Sequence, residues 1–363
     1  MIALDEIVKQ YQAAFYQKYA GRILPQQRWA LNCIVNCRDS LHSQMLLKCE
    51  ECKTLEYKPH SCGNRNCPKC QNHENTVWLE RQKRKILPVT YYMITFTMPA
   101  QLRSLCYTRQ KTMYDLMFSK VEETLKEFAI KPKNLGGEIG FISVLHTNAR
   151  NQEYHPHIHV IIPGGAIDKA KGIWLKKRTK SLFFVDHLSK AFRAKILQDL
   201  YERKIPFPRT TPENWVVHSL NVGTGERALE YLSRYLYRGT LGKNNIISNL
   251  YGIVTFTYID SDTKKKLSRS LPGEDFLMLI LKHVLPKGYR RSRDYGFLHH
   301  NAKVTLQRLQ LIFHVKLERV TARVRSSFGC KHCGGKMDVI RFGLRKPFET
   351  KAKGVKDAPP VKV

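Results

Sequence analysis

Apolar positions along the 363-residue chain fall into blocks of helical and strand-like spacing. Residues 1–32 space their apolar side chains three and four apart and predict one or two amphipathic helices. Between 33 and 72 that pattern lapses and cysteine takes its place. A basic helix is expected over 74–85, ended by Pro88. Tyr91–Thr97, YYMITFT, is a β-branched and aromatic run closed by Met98 and Pro99, so it reads as a buried strand. Helical spacing returns between 100 and 131 through Leu102, Leu105, Cys106, Met113, Leu116, Met117, Val121 and Leu125. Strands are expected at 141–147 and 158–162. Polar residues 148–154 join them as a hairpin, and Pro163-Gly164-Gly165 should stop the second. Helices at 188–201, 227–238, 273–284 and 304–320 then alternate with strands at 215–220 and 251–258. A flexible turn at 223–225 leads into the 227–238 helix, and the last dozen residues are expected to be disordered. With one clear hairpin and no strict βαβ period, the chain predicts an α+β fold with an antiparallel sheet.

Charge changes the picture. Lys and Arg number 62 against 30 Asp and Glu, a net charge of +32, and the isoelectric point is near 9.9. Solubility alone needs a net charge of about 2–8, so a polyanionic partner is implied. Local clusters at 81–85 and 287–293 make Arg81, Lys83, Arg84, Lys85, Lys287, Arg290 and Arg291 candidates for contact with nucleic acid; a further cluster spans 176–180. No run of eighteen apolar residues is present, and the N-terminus lacks the apolar block of a signal peptide. The expected location is the cytoplasm, with the nucleoid and no membrane contact.

Seven of the ten cysteines lie between Cys33 and Cys70. Cys49-x2-Cys52 and Cys67-x2-Cys70 stand fourteen residues apart. Paired knuckles of this kind supply the four thiolates of a structural Zn2+ site, which would present the following basic helix to DNA. Cys33, Cys37, His60 and Cys62 are nearby; Cys37 and Cys62 could build a second site or replace a member of the first. Cys330-x2-Cys333 is half a knuckle, which either borrows ligands from the N-terminal cluster or is a relic.

The central segment reads His155-Pro-His157-Ile-His159, followed by Val160-Ile-Ile. On a strand His157 and His159 share a face and can grip one divalent ion. His146, eleven residues before His157, would join them from the partner strand; Glu153 and His155 are the competitors. Tyr231 and Tyr235 stand four apart and share a helix face. By itself such a pair is core packing. Beside a metal site, a tyrosine hydroxyl can attack a DNA phosphodiester, with Arg234, Arg238 and Lys243 near enough in sequence to meet phosphate oxygens.

Taken in order, CGNRNCPKCQ at 62–71, TFTMP at 95–99, the 144–163 histidine segment, Phe192-Arg193, YLSRY at 231–235, LPKGY at 285–289, YGFL at 295–298 and CKHCGG at 330–335 resemble the HUH endonucleases. Within them the chain resembles the two-tyrosine transposases of the insertion-sequence-91 type, over roughly residues 10 to 340. The resemblance implies an HUH-type antiparallel central sheet flanked by helices, preceded by a small zinc-binding module. It implies domains at 1–88, 89–300 and 301–363. It implies Mg2+ or Mn2+ held by His157, His159 and His146, with Tyr231 and Tyr235 as nucleophiles. The implied reaction nicks single-stranded DNA through a 5′-phosphotyrosine during rolling-circle transposition, with a host helicase as partner because the chain carries no phosphate-binding Gly-x4-Gly-Lys loop. A plasmid relaxase or replication initiator would share this chemistry without the zinc module. A zinc-bearing DNA-binding regulator would form no covalent adduct. One departure is Ser43-Gln44-Met45, where relatives carry Gly-Gly-His, which weakens the case for a second zinc.

Overall fold

The structure is a computed structural model that describes residues 2–39, 44–70, 72–177, 179–236, 241, 243–260, 263–316 and 328–344. The elements begin with α1 (Leu4–Lys18), α2 (Pro25–Val35), β1 (Gln44–Cys49), β2 (Leu55–Pro59), α3 (Asn72–Lys83) and β3 (Tyr91–Thr97). They continue with α4 (Arg103–Thr108), α5 (Gln110–Ile130), β4 (Phe141–Asn148), β5 (Tyr154–Pro163), β6 (Gly165–Asp168), β7 (Ile173–Lys176) and α6 (Val185–Glu202). The rest are β8 (Val217–Gly223), α7 (Glu226–Leu236), β9 (Ile246–Leu250), β10 (Ile253–Ile259), β11 (Lys266–Pro272), α8 (Gly273–Leu281), β12 (Ser292–Tyr295), α9 (Lys303–Ile312), β13 (Phe328–Gly329) and β14 (Lys336–Leu344). Among the described residues no helix is long and apolar enough to cross a membrane.

Two compact units result: Met1–Val35 with Gly63–Val320, and Asn36–Cys62 with Thr321–Val363. This differs from the expected division at 88 and 300. Helix α1 buries Ile7, Val8, Tyr11 and Phe15 at helical spacing, and its Tyr11 ring lies so close to Gly273 at the start of α8 that a Cβ there would meet the ring at 2.3 Å. Tyr19 donates to the Asp275 carboxylate at 2.5 Å. The first helices therefore pack on a late helix of the same unit, a pairing that helical spacing alone does not encode.

The larger unit is built on a central antiparallel sheet of order β12-β4-β5-β3-β8. Side chains alternate between its faces. Phe141, Leu145, Ile158, Val160 and Ile162 pack on one face against Met117, Val121 and Leu125 of α5 and Phe192 and Ile196 of α6. Ile142, Val144 and Ile161 point to the other face, where Trp78 of α3 and Ala228, Leu229 and Leu232 of α7 cover them. This is the α+β architecture with helices on both faces.

Several expectations change here. The 163–165 turn does not stop the chain: β6 follows at once and pairs with β7. Gly165 permits this because a Cβ would lie 2.5 Å from the Trp174 ring. Strands β9 and β11 flank the one strand expected near 251–258, and β12 is a four-residue edge strand too short and polar for period-two reading. Helix α9 ends at Ile312, earlier than expected, and 317–320 fall outside the described residues, as does the C-terminal tail. Helix α3 packs one face into the larger unit. Trp78 is 2% exposed, its indole N–H donates to Ser292 Oγ at 3.2 Å, and Gln82 is held on Asp294.

The smaller unit is a sheet of order β13-β14-β1-β2. Both of its hairpins turn through a Cys-x-x-Cys sequence, residues 49–52 between β1 and β2 and residues 330–333 between β13 and β14.

Candidate active site

Strands β4 and β5 pair so that His146 faces His157 and Val144 faces His159. Directly opposed residues share a face, and the ligand nitrogens of His146, His157 and His159 all lie within 4.8 Å of one another. The rings meet edge to face, with centroids 4.5 Å apart for His146 and His159 and 4.8 Å for His157 and His159. On the far side of β5, Thr95 and Thr97 of β3 stand opposite His159 and His157.

Burial keeps these imidazoles neutral. It pushes His157 down to about 4 and, with the other histidines nearby, pushes His146 and His159 well below 6.5. The tautomer follows from the partners. His157 Nδ1 lies 2.7 Å from the His155 carbonyl oxygen, which can only accept, so Nδ1 carries the proton and Nε2 keeps its lone pair. His159 Nδ1 lies 2.8 Å from Thr95 Oγ1, compatible with the same tautomer. Neutral imidazoles anchored through Nδ1 are the usual form of metal-ligating histidines, so the donor set fits a divalent cation. The competing ligands are engaged elsewhere: Arg103 Nη2 donates to His155 Nδ1 at 2.7 Å, and Glu153 pairs with Arg269 at 3.5 Å.

Helix α7 brings tyrosine to this cluster. Ala228, Leu229 and Leu232 anchor it to the sheet, and half-buried Tyr231 stands with its ring centroid 6.3 Å from that of His159, at an interplanar angle of 88°. Tyr235 lies on the same helix one turn on; its side chain, with those of Arg234 and Lys243, falls outside the described residues, as does Arg238. Lys83 of α3 pairs with Glu230 of α7 at 2.8 Å. Lys85 pairs with Asp294 and donates to the Leu298 carbonyl at 3.0 Å. Both are candidates for contact with nucleic acid, and in the fold each also pairs with a carboxylate of the same unit. Arg81, Arg84, Lys287 and Arg290 are exposed. Arg81, Lys287 and Arg290 line one open groove of about 840 Å3 with Lys111 and His300. Arg291 is half-buried, and its charge acts on His146.

Two residues of the site's surroundings were missed from sequence. Thr95 lay inside the TFTMP motif, where nothing marked it as a partner of His159. His283 is 1% exposed; its Nε2 lies 2.9 Å from the Gln152 carbonyl and its Nδ1 3.3 Å from Thr147 Oγ1, so it ties the β4–β5 turn to the end of α8. No spacing pattern points to it.

The cysteines regroup. Cys49 and Cys52 do not join Cys67 and Cys70 as expected: in the smaller unit they meet Cys330 and Cys333, all four sulfurs within 4.8 Å of one another. Cys37 and Cys62 of that unit also lie within 4.8 Å of each other, and Cys67 and Cys70 do so within the larger unit. The Thr54 hydroxyl pulls the Cys52 thiol down to about 6. The Gly335 amide lowers the Cys333 thiol, but the Cys49 and Cys52 sulfurs outweigh it and push that thiol up to about 12.

Known proteins now bear on this site. A family model described as "Putative transposase" matches residues 140–305, which hold the three histidines and both tyrosines. A second, described as "Transposase zinc-binding domain", matches residues 7–98. "Putative transposase y4qJ" of Sinorhizobium fredii (strain NBRC 101917 / NGR234) is 31% identical over 319 residues, covering 81% of this chain and 79% of its own length. The chain belongs to the insertion-sequence-91 family of transposases. The transposase is also similar to "Transposase for insertion sequence element IS801" of Pseudomonas savastanoi pv. phaseolicola, 24% identical over 270 residues, 68% of this chain and 63% of the relative. No solved structure matches it. As a member of this family the transposase acts on DNA and carries a zinc-binding domain.

Proposed function

We propose that this transposase nicks single-stranded DNA at the ends of its element with a tyrosine nucleophile. The bond is kept as a 5′-phosphotyrosine, and the strand passes to a target in rolling-circle transposition. The observation that carries this reading is Tyr231 standing edge-on to His159, above three neutral histidines on one sheet face. His146, His157 and His159 would hold Mg2+ or Mn2+; three imidazoles are softer donors than the oxygen shell Mg2+ prefers, which favours Mn2+. When bound, the ion polarises the scissile phosphate. Tyr231 supplies the attacking oxygen and its proton passes to solvent; the P–O3′ bond breaks, and the departing 3′ oxygen takes a proton from solvent to leave a free 3′-OH. Tyr235, one turn on, serves as the second nucleophile when the first is occupied. Arg291 adds positive charge near His146, and the exposed Arg81, Arg84, Lys287 and Arg290, with Arg234 and Arg238, meet the backbone of the strand. Unwinding falls to a host helicase. Cys67 and Cys70, a Cys-x-x-Cys pair within the larger unit, would supply two of the four thiolates of a further structural Zn2+.

The test incubates the purified protein with labelled single-stranded element ends and Mn2+ or Mg2+, then looks for a covalent adduct on a denaturing gel. His157→Ala and His159→Ala should abolish the adduct with binding largely kept. Tyr231→Phe and Tyr235→Phe should each stop complete transposition, and only the double variant should lose single-end cleavage entirely. Phe keeps the ring and its packing. If the double variant still forms the adduct, the tyrosine assignment is wrong.

A further inference from the structure

The zinc-binding family model ends at residue 98, yet the knuckle at 49–52 finds its partners more than 270 residues further on, at Cys330 and Cys333. The sulfur spacings discriminate between the states open to four thiols. Cys49 Sγ lies 3.5 Å from Cys333 Sγ, Cys52 Sγ 3.6 Å from Cys330 Sγ, and Cys333 Sγ 3.4 Å from Cys52 Sγ. A disulfide needs about 2.05 Å. A tetrahedral zinc site with Zn–S near 2.3 Å has sulfur–sulfur edges of about 3.8 Å. The separations lie close to the second and well outside the first.

The backbone is shaped alike in both knuckles. The residue after the second cysteine is left-handed in each: Lys53 at φ 61 and Gly334 at φ 77. The amide of the first cysteine closes each turn on the carbonyl five residues on, Cys49 to Thr54 at 2.9 Å and Cys330 to Gly335 at 2.8 Å. Amides also point at the sulfurs: the His332 N–H donates to Cys330 Sγ and the Gly335 N–H to Cys333 Sγ, both at 3.4 Å. Such donors stabilise thiolates. The two turns interlock. Glu50 N–H donates to the Lys336 carbonyl at 2.9 Å, and the Glu51 carboxylate lies over Gly335. Beneath them the apolar core is small: Leu47, Cys49, Cys330 and Met337, with Met45 and Val339 against it. A cluster of this size does not hold two hairpins together without a staple.

We propose that Cys49, Cys52, Cys330 and Cys333 bind one structural Zn2+, joining the early β1–β2 hairpin and the late β13–β14 hairpin into a single zinc ribbon. The zinc-binding part of this transposase is then completed by its C-terminal segment, and each knuckle is half a site without the other. Binding releases the remaining thiol protons, so the site holds four thiolates and leaves no coordination position for water.

The experiment uses the full chain purified without chelator. Cys49→Ser/Cys52→Ser and Cys330→Ser/Cys333→Ser should each lose one zinc equivalent per chain, and the quadruple variant should lose no more than either alone. Cys67→Ser/Cys70→Ser should lose a zinc equivalent additive with these. Since the variants could misfold, the unvaried protein gives a second readout. Alkylation followed by mass spectrometry should find Cys49, Cys52, Cys330 and Cys333 protected together, and all four exposed together on chelation. Free alkylation of Cys330 and Cys333 while Cys49 and Cys52 stay protected would overturn the proposal. So would separate, additive zinc losses from the two knuckles.

Discussion

Thr95 and His283 show how single residues support the histidine cluster without belonging to it. Thr95 Oγ1 is the partner of His159 Nδ1, and removing such an anchor typically costs about 10–100-fold in metal affinity. Thr95→Val should therefore raise the Mn2+ concentration needed for adduct formation by about that factor, and Thr95→Ser should restore it. An unchanged Mn2+ titration would mean that the strand alone orients the ring. His283 is read out by pH. Burial depresses its pKa from 6.5 to about 4, so the unfolded chain takes up a proton that the folded chain refuses. Its share of stability is intact above about 6.5 and is lost as pH falls towards 4, amounting to about 3 kcal/mol at the acid end. His283→Gln keeps one donor and one acceptor for Gln152 and Thr147 but cannot be protonated. Urea midpoints between pH 7 and 4 should fall less steeply in that variant; parallel slopes would remove His283 from the acid sensitivity.

At the scale of elements, the tyrosine is positioned by the way α7 leaves β8. Gly225, just before α7, sits at φ 83, and a Cβ there would lie 2.7 Å from the ring of Tyr91. Tyr91 cannot readily yield: it is 2% exposed and its hydroxyl oxygen accepts from the Leu87 amide at 2.9 Å. Gly225→Ala therefore combines left-handed strain with a clash and should cost about 1–3 kcal/mol. The start of α7 should shift, so adduct formation should fall further than affinity for single-stranded DNA. Equal losses would place the damage in general folding. The α3–α7 ion pair between Lys83 and Glu230 is a weaker influence, since a partly exposed pair contributes about 0–1 kcal/mol.

For the whole molecule the dominant quantity is the net charge of +32. Carboxylates within the fold neutralise part of it, including at Lys83, Lys85, Lys120 and Lys195. Lys287, Arg290, Arg81 and Arg84 remain exposed. If six to ten phosphates are contacted, affinity for single-stranded DNA should fall by about 10³–10⁵-fold between 50 and 200 mM salt. Filter binding across that range measures the slope. A flat response would argue for stacking in place of charge as the source of affinity.

Local spacing by itself determined the elements that carry the chemistry. Period two placed His157 and His159 on one face and, through the hairpin, His146 opposite them; period 3.6 placed Tyr231 on a helix one turn from Tyr235. Both are properties of neighbouring residues, and β4, β5 and α7 lie where they were expected. Tertiary structure alone decided which elements meet. The turn that brings Tyr231 to His159 depends on the packing of α7 against Val144 and Ile161. Lys83 and Lys85 stand in one basic run in sequence, and only the fold gives each a carboxylate partner more than a hundred residues away, Glu230 and Asp294. The cysteine spacing favoured Cys67 and Cys70 as partners for Cys49 and Cys52, whereas the β1–β14 pairing delivers Cys330 and Cys333. Four equivalent thiols are chemically interchangeable, so sequence separation cannot choose among them. The choice belongs to the backbone hydrogen bonds that hold two distant hairpins in one sheet.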